Sequence, residues 1–456
     1  MNNSKPVKTR FAPSPTGLLH IGGLRTCLIN YIYAKQNKGT FVLRIEDTDK
    51  KRSKKEFENE IITSFELMGI FADEVYRQSE RSSIHRSYIT SLIETGQAYI
   101  SKELSDSEDS REEVIRFKNP NKIISFDDVV RGNVEIDTTD LGDFVIAKSL
   151  EEPLYHLAVV TDDFEMGITH IIRGEEHIAN TPRQILIQEA IGAPRPVYVH
   201  LPLILATDKS KLSKRHGAVA VTSYIEEGYL PAAIINYLAL LGWSPQSVDG
   251  ADASDVLTLD EIIAKYDMTK VQKGGAVFNI EKLNDLNAHY IKQLGEAVLE
   301  EKIKHWLPSE YTEGRHTSKE VTSAIAKLFA ERIHTFGEIK TLLGQGEFTY
   351  LFKPISYDAD LLLGKKKDLP LNETISILEQ LIALLDSVPL DDFNPEHIKN
   401  SIWDFAEKMG RGNVLWPMRT ALTGAEKSAD PFSVAGILGK QETLTRLKDA
   451  ETKLTA

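Results

Sequence analysis

RFAPSPTGLLHIGG, Arg10 to Gly23, runs directly into LRTCLINYIYAK, and the reading of the fold starts there. Leu24, Leu28, Ile32 and the ring of Tyr31 recur at helical spacing, so a helix is expected to begin just past His20. Gly17, Gly22 and Gly23 let backbone come close to a polyanion, and the unpaired N–H groups and dipole of a helix start favour negative charge there. Val7 to Phe11 before it reads as a strand, and Phe41 to Ile45 after it as another. A long helix through Phe57, Ile61, Ile62, Phe65 and Leu67 follows. Alternation of this kind predicts an α/β domain with a parallel sheet, whose ligands bind at the carboxyl ends of strands near a topological switch point.

A second stretch, DKSKLSKRHG at 208 to 217, supplies what the first lacks. Lys209, Lys211, Lys214 and the guanidinium of Arg215 crowd a short expected loop, which can clamp a triphosphate. A lone His before a glycine-rich turn is more often a cap or a packing residue, and a Lys-rich loop is more often a solvated turn. Their joint occurrence is far more specific than either alone.

His20-Ile-Gly-Gly23 and Lys211-Leu-Ser-Lys-Arg215 resemble the two signatures of class I aminoacyl-tRNA synthetases. The flanking motifs narrow the resemblance to bacterial glutamyl-tRNA synthetases. They are Arg10 to Gly17, Leu43-Arg-Ile-Glu-Asp-Thr-Asp49, Gln78-Ser-Glu-Arg81, Val114 to Lys118, Phe126-Asp-Asp-Val-Val-Arg-Gly132 and Ile172-Arg-Gly-Glu-Glu-His177. The likeness continues through Val277 to Leu283, Trp416 to Gly424 and Leu438-Gly439, and so covers nearly the whole chain.

Composition sets bounds beside it. A chain of 456 residues is too long for one ordinary core, so several modules are expected. Hydrophobic residues at 41% without an apolar run near membrane-spanning length, and an N-terminus lacking a secretory apolar stretch, predict a cytoplasmic enzyme with no membrane partner. The one cysteine, Cys27, allows no internal disulfide and is expected to pack. A net charge of −13 looks wrong for a polynucleotide partner, but binding depends on local stripes. Lys50 to Lys55, the 209 to 216 loop and Lys365 to Lys367 are the candidates; the resemblance favours only the loop, and the other two read as solvated faces.

The segment 97–150 changes to short polar runs with turns around Asp137 to Asp140, and reads as an insertion. Strands are expected to resume at Tyr155 to Val160 and Thr169 to Ile172, with a helix from Pro182 to Ile191. No GxGxxG dinucleotide signature is present, which disfavours an oxidoreductase. After a linker at Ser244 to Asp255 the periodicity is helical, as in Ile375, Ile377, Leu378, Leu381, Ile382 and Leu385. The resemblance implies a split Rossmann-like catalytic domain at 1–96 and 151–245, an α+β insertion at 97–150 that binds the acceptor end, a stem-contact domain at 246–325 and an all-helical anticodon-binding region at 326–456. It also implies a monomer acting on L-glutamate, ATP with Mg2+ and glutamate tRNA, and no DNA.

The implied reaction forms glutamyl-adenylate and then passes the glutamyl group to the terminal ribose of tRNA. A carboxylate nucleophile is already ionised at neutral pH, so positioning and phosphate charge are what remain to be managed. By resemblance His20, Lys211 and Lys214 are catalytic. Gly22, Glu176, Leu212, Ser213 and Arg215 join them around ATP. Arg10, Ala12, Ser14, Glu46, Tyr155, Val159 and Arg173 form the glutamate site. Two carboxylates and an ammonium demand cationic forks and an acid. Glu46 and Ser14 suit the ammonium, Arg10 with Tyr155 the side-chain carboxylate, and Arg173 the α-carboxylate. Arg10 could instead simply pair with Asp47 or Glu46, and Tyr155 could be packing.

Two departures from the family pattern matter. Some relatives carry Asn where this chain has Val159. Others hold zinc with cysteines near Ala98-Tyr99, whereas between Ala98 and His156 this chain has neither Cys nor His, so no structural zinc is expected. Alternatives remain: an enzyme that also charges glutamine tRNA, a shorter base-modifying relative, an inactive tRNA-binding paralogue, and a nucleotidyltransferase with another cargo. The long helical region counts against the second. Intact His20, Lys214 and Arg173 count against the third, and the Phe126 to Gly132 motif and two-arginine pocket against the fourth.

Overall fold

The computed structural model describes residues 6–104, 111–212, 220–245, 254–311, 319–364 and 369–456. The chain divides into two compact units, Met1–Leu286 and Asn287–Ala456.

In the first unit β1 (Lys8–Phe11), α1 (Ile21–Gln36), β2 (Thr40–Ile45), α2 (Lys55–Leu67) and β3 (Glu74–Arg77) alternate as read from the sequence. After α3 (Ser82–Glu94), the insertion proves rich in strands: β4 (Ala98–Leu104), β5 (Arg111–Phe117), β6 (Ile123–Asp128), β7 (Gly132–Asp137) and β8 (Phe144–Ser149), then β9 (Glu152–Pro153). α4 (Tyr155–Glu165), β10 (His170–Gly174), α5 (Thr181–Ala190) and β11 (Val197–Leu201) complete the nucleotide-binding fold.

β1, β2 and β3 pair in parallel, as do β10 and β11. The Thr169 N–H donates to the Lys8 carbonyl at 2.9 Å, which sets β10 beside β1. The two halves of a split Rossmann-like sheet therefore meet between β1 and β10, where strand order reverses and open α/β sheets bind ligands. β4, β5, β8 and β9 form an antiparallel sheet of their own, but the β6–β7 hairpin joins β11 through β6. Part of the insertion thus extends the parallel sheet.

α1 is buried around most of its circumference: Ile21, Leu24, Cys27, Leu28, Ile29 and Ile32 are wholly inaccessible. Cys27 packs as expected, and burial pushes its thiol pKa up. Polar residues tie the same helix to the sheet, since Asn30 Nδ2 donates to the Ile172 carbonyl at 3.0 Å and Thr9 Oγ1 to the Asn30 carbonyl at 2.9 Å.

One sequence expectation fails here. Tyr155 to Val160 is not a strand but the first half of α4. Leu157, Ala158, Val159 and Val160 are all buried, and so are Thr161, Asp162 and Asp163. An apolar run buried on every side shows neither period 2 nor period 3.6, so periodicity could not separate strand from helix.

β12 (Ile204–Leu205), α6 (Val221–Glu226), α7 (Pro231–Leu240), α8 (Leu259–Lys265) and β13 (Ala276–Val277) follow, with β12 and β13 paired in parallel. The unit boundary falls within α9 (Ile280–Lys292).

The second unit contains α10 (Glu296–Trp306), α11 (Lys319–Ala330), α12 (Glu338–Gly344), α13 (Leu371–Asp386), α14 (Pro395–Met409), α15 (Arg411–Thr423) and α16 (Pro431–Thr455), and no strand among its described residues. α16 bends at Gly439, whose φ of 77° is left-handed, and packs against α13, α14 and α15. Ile377, Leu378, Leu381 and Leu385 form the buried stripe of α13. Full burial of each such side chain is worth about 1.5–3 kcal/mol. Among the described residues no helix is long and apolar enough to cross a membrane.

Candidate active site

The carboxyl ends of β1 and β10 open into a cavity of about 820 Å³. Arg10 reaches it from β1, Arg173 from β10, and Glu46 from the residue after β2. The segment between β1 and α1 is anchored by its prolines. Having no N–H of their own, Pro13 and Pro15 still accept, from the N–H groups of Glu46 and Lys54, both at 2.9 Å. That holds Ala12 and Ser14 along the cavity wall.

α4 supplies a stripe that the strand reading hid. Tyr155, Val159 and Asp163 stand at i, i+4 and i+8 on one helical face. The first two line the cavity, and Asp163 sits behind Arg10. Arg10 Nε lies 3.2 Å from Asp163 Oδ1, and Arg44 Nη1 lies 2.6 Å from the same oxygen. Arg44 Nη2 then holds Glu46 Oε1 at 3.1 Å. Arg10 pairs with neither Asp47 nor Glu46: Asp47 is taken by the Ser79 N–H and hydroxyl. Among the described residues the Nη groups of Arg10 have no hydrogen-bond partner, and they belong to a side chain that lines the cavity. Burial pushes the Glu46 pKa up, against the pull of Arg44 and Arg10.

Asp163 and Arg44 were missed by the sequence reading. The i, i+8 spacing from Tyr155 would have signalled the first, had α4 been read as a helix. Asp162, next door, is buried under Gln78 Nε2 at 2.8 Å, Arg81 Nε at 2.6 Å and His85 Nε2 at 2.9 Å. The Gln78 to Arg81 motif is therefore scaffolding for α4.

Tyr155 lines the cavity together with both arginines. Its hydroxyl lies 3.3 Å from His177 Nδ1, and its pKa is raised by burial and by Glu46, against both guanidiniums. His177, also on the cavity wall, is held neutral: burial and Arg173 push its pKa down to about 4.

At the other end of the cavity His20 caps α1, its Nδ1 accepting from the Gly23 N–H at 3.1 Å. The bland and the functional reading of this residue are compatible. With Nδ1 committed as acceptor, the proton of the neutral ring sits on Nε2, which is a donor. A Cβ on Gly22 would lie 3.2 Å from the His20 ring, and one on Gly23 would lie 2.9 Å from Leu19 Cδ1, so a side chain at either position would press on the capping residue or its neighbour.

Lys211, Leu212 and Glu176 line the same cavity, with Lys211 Nζ 4.0 Å from Glu176 Oε1. Lys209 does not line it, and adopts a left-handed φ of 64° in the turn from Ala206 to Ser210. Ser213, Lys214 and Arg215 lie outside the described residues, as do Lys365 to Lys367. Lys50, Lys51, Arg52, Lys54 and Lys55 are exposed, as a solvated face requires.

A family model described as the catalytic domain of class I tRNA synthetases (E and Q) matches residues 6–107 and 102–285. One described as an anticodon binding domain matches 296–451. Among similar proteins, the glutamate–tRNA ligase of Aquifex aeolicus is 48% identical over 322 residues, covering 63% of this chain and 67% of that protein. Glutamate–tRNA ligase 2 of Caldicellulosiruptor saccharolyticus is 36% identical over 487 residues, covering 97% of this chain and 98% of its own. The crystal structure of a glutamate tRNA ligase from Elizabethkingia meningosepticum, in complex with its amino acid, superposes with a TM-score of 0.85 at 34% identity, over 99% of this chain and all of that one.

Proposed function

The chain belongs to the class I glutamyl-tRNA synthetases, and we infer that it couples ATP to the charging of glutamate tRNA through glutamyl-adenylate. One observation supports the amino-acid assignment above others. Arg10 and Arg44 share the Asp163 carboxylate, and Arg44 also holds Glu46, in or directly behind the cavity wall, while Arg173 lines the cavity with neutral hydrogen-bond partners. Two cationic forks, Arg10 and Arg173, and one acid, Glu46, thus line the cavity beside one another, and glutamate brings two carboxylates and one ammonium. The ammonium suits Glu46 and Ser14, and the carboxylates suit Arg10, Arg173 and the Tyr155 hydroxyl, with Ala12 and Val159 closing the apolar wall.

In the first step an α-carboxylate oxygen attacks the α-phosphorus of ATP as the bond to pyrophosphate breaks, and no proton transfer is required. His20 donates from Nε2 to the crowded phosphate oxygens, and Gly22 keeps the backbone close. Lys211 and Lys214, together with Leu212, Ser213, Arg215 and Glu176, manage the departing pyrophosphate. Losing one such donor costs roughly 3–4 kcal/mol of barrier. Magnesium, carried on the ATP phosphates, adds charge neutralisation there. Among the described residues no group of three or more His, Cys, Asp or Glu could hold a metal ion. Elemental analysis tests the expectation of no structural zinc; about one zinc per chain would overturn it.

For tRNA, the reading assigns the acceptor end to 97–150, the stem to 246–325 and the anticodon to 326–456, in a cytoplasmic monomer. Aminoacylation of purified isoacceptors with each candidate amino acid is the test. Charging of glutamate tRNA with glutamate is expected. Charging of glutamine tRNA as well would make the enzyme non-discriminating, and no glutamate charging at all would overturn the proposal.

A further inference from the structure

Arg173 is buried, and among the described residues no carboxylate pairs with it. Nε meets His200 Nε2 at 3.2 Å, Nη1 meets Gln184 Oε1 at 2.7 Å, and Nη2 meets Thr181 Oγ1 at 2.8 Å. All three partners are neutral, where a buried cation is normally paired with an acid. The acid stands one residue further back. Because an Arg Nε–H can only donate, His200 Nε2 is the unprotonated nitrogen and the ring proton is on Nδ1. Nδ1 lies 2.7 Å from Asp128 Oδ2. That carboxylate is fixed in turn: Oδ2 also accepts the His200 N–H at 2.9 Å, and Oδ1 accepts the N–H groups of Val130 at 3.0 Å and Arg131 at 2.8 Å.

We propose that Asp128 and His200 are positioning residues of the glutamate site: Asp128 selects the Nδ1–H tautomer of His200, whose Nε2 lone pair then fixes the rotation of Arg173 toward a substrate carboxylate. This rests on the reading of the cavity as a glutamate site. The arrangement has a chemical reason. A carboxylate placed directly on Arg173 would compete with the substrate for the same charge. An imidazole holds the fork by a hydrogen bond and leaves its charge for the ligand, as outer partners orient the ligands of metal sites. It also gives Asp128, within the Phe126 to Gly132 motif at the end of β6, a task at a site built on β10, reached through His200 on β11.

The test separates the two ends of the ring. In His200→Gln the amide oxygen can replace the Nε2 acceptor, whereas in His200→Asn the amide nitrogen can replace only the Nδ1 donor. In full-chain aminoacylation assays with glutamate tRNA, His200→Asn is expected to raise the KM for glutamate at least about tenfold with the KM for ATP unchanged, and His200→Gln to stay within about threefold of wild type. Asp128→Asn, which sets an amide N–H against one of the donors that carboxylate now accepts, is expected to raise the same constant. Equal glutamate constants in the two His200 variants, parallel losses for ATP, an unmoved constant in Asp128→Asn, or a His200→Gln enzyme that does not fold would each overturn the relay. Wild-type enzyme that fails to charge glutamate in the same assay would count against the proposed function instead.

Discussion

Arg10 Nε lies 3.2 and 3.3 Å from the two carboxylate oxygens of Asp163, so the guanidinium is held by its Nε edge. Arg44 shares that carboxylate, and both arginines are buried. Asp163→Asn leaves two buried cations facing a carboxamide. Breaking a buried pair in this way costs about 3–5 kcal/mol, and the released Arg10 fork should weaken glutamate binding as well. Denaturant unfolding and the KM for glutamate check the two effects. An unchanged unfolding midpoint would show that the arginines find another counter-charge.

His20 offers a way to separate capping from chemistry. Asn is among the best helix N-caps, so His20→Asn keeps a partner for the Gly23 N–H but does not extend a donor as far as the imidazole Nε2. It should retain near wild-type stability while adenylate formation falls by about two to three orders of magnitude. A single-turnover rate close to wild type would make His20 a cap alone. Lys214→Ala is expected to slow adenylate formation at least about tenfold with tRNA affinity nearly unchanged, since its charge is needed as the pyrophosphate departs. Equal loss of tRNA binding would contradict that role.

His156 contacts the rings of Phe144 and Tyr155, its Nδ1 is buried without a partner among the described residues, and burial with Arg183 lowers its pKa to about 4. Between pH 6.5 and about 4 the unfolded chain therefore takes up a proton that the folded chain refuses. Stability falls as pH falls across that window. Phenylalanine cannot titrate and needs no hydrogen-bond partner. The stability of His156→Phe relative to wild type should grow as pH is lowered from 6.5, by at most about 1.4 kcal/mol per pH unit. Parallel curves of unfolding midpoint against pH would show that His156 is protonated in the folded protein.

The start of α1 was legible because glycine, a capping side chain and helical spacing all point the same way at His20. The two cavity arginines were placed by the resemblance, and each stands one residue before the end of a short strand. α4 was not, since burial on every side erases the alternation on which the reading depends, and with it went Asp163 as the partner of Arg10. Asp128 and His200 were hidden for a different reason. They lie on β6 and β11, far apart in sequence, and nothing local marks an acid and an imidazole that meet only when those strands pair. Arg44, read only as part of a motif, was likewise beyond assignment without Asp163.

Arg10 should separate glutamate from glutamine. Its Nη groups have no partner among the described residues, and a carboxylate satisfies them where a carboxamide turns an NH₂ toward donors. Charge acts in the same direction, since the glutamine side chain offers the Arg10 guanidinium no negative charge. A buried polar group left unmet costs about 1–3 kcal/mol, and more when charged, so a site built this way discriminates strongly. Val159 presents no amide that would favour the carboxamide. Arg10→Gln removes the fork and leaves Asp163 paired with Arg44 at 2.6 Å, so the local fold keeps its counter-charge. Catalytic efficiency with glutamate should then fall much further than with glutamine, narrowing their ratio even as both rates drop. Pyrophosphate exchange with each amino acid, in the presence of glutamate tRNA, measures that ratio. If it keeps its wild-type value while both rates fall together, Arg10 serves the fold or the nucleotide, and the side-chain carboxylate is read by Arg173.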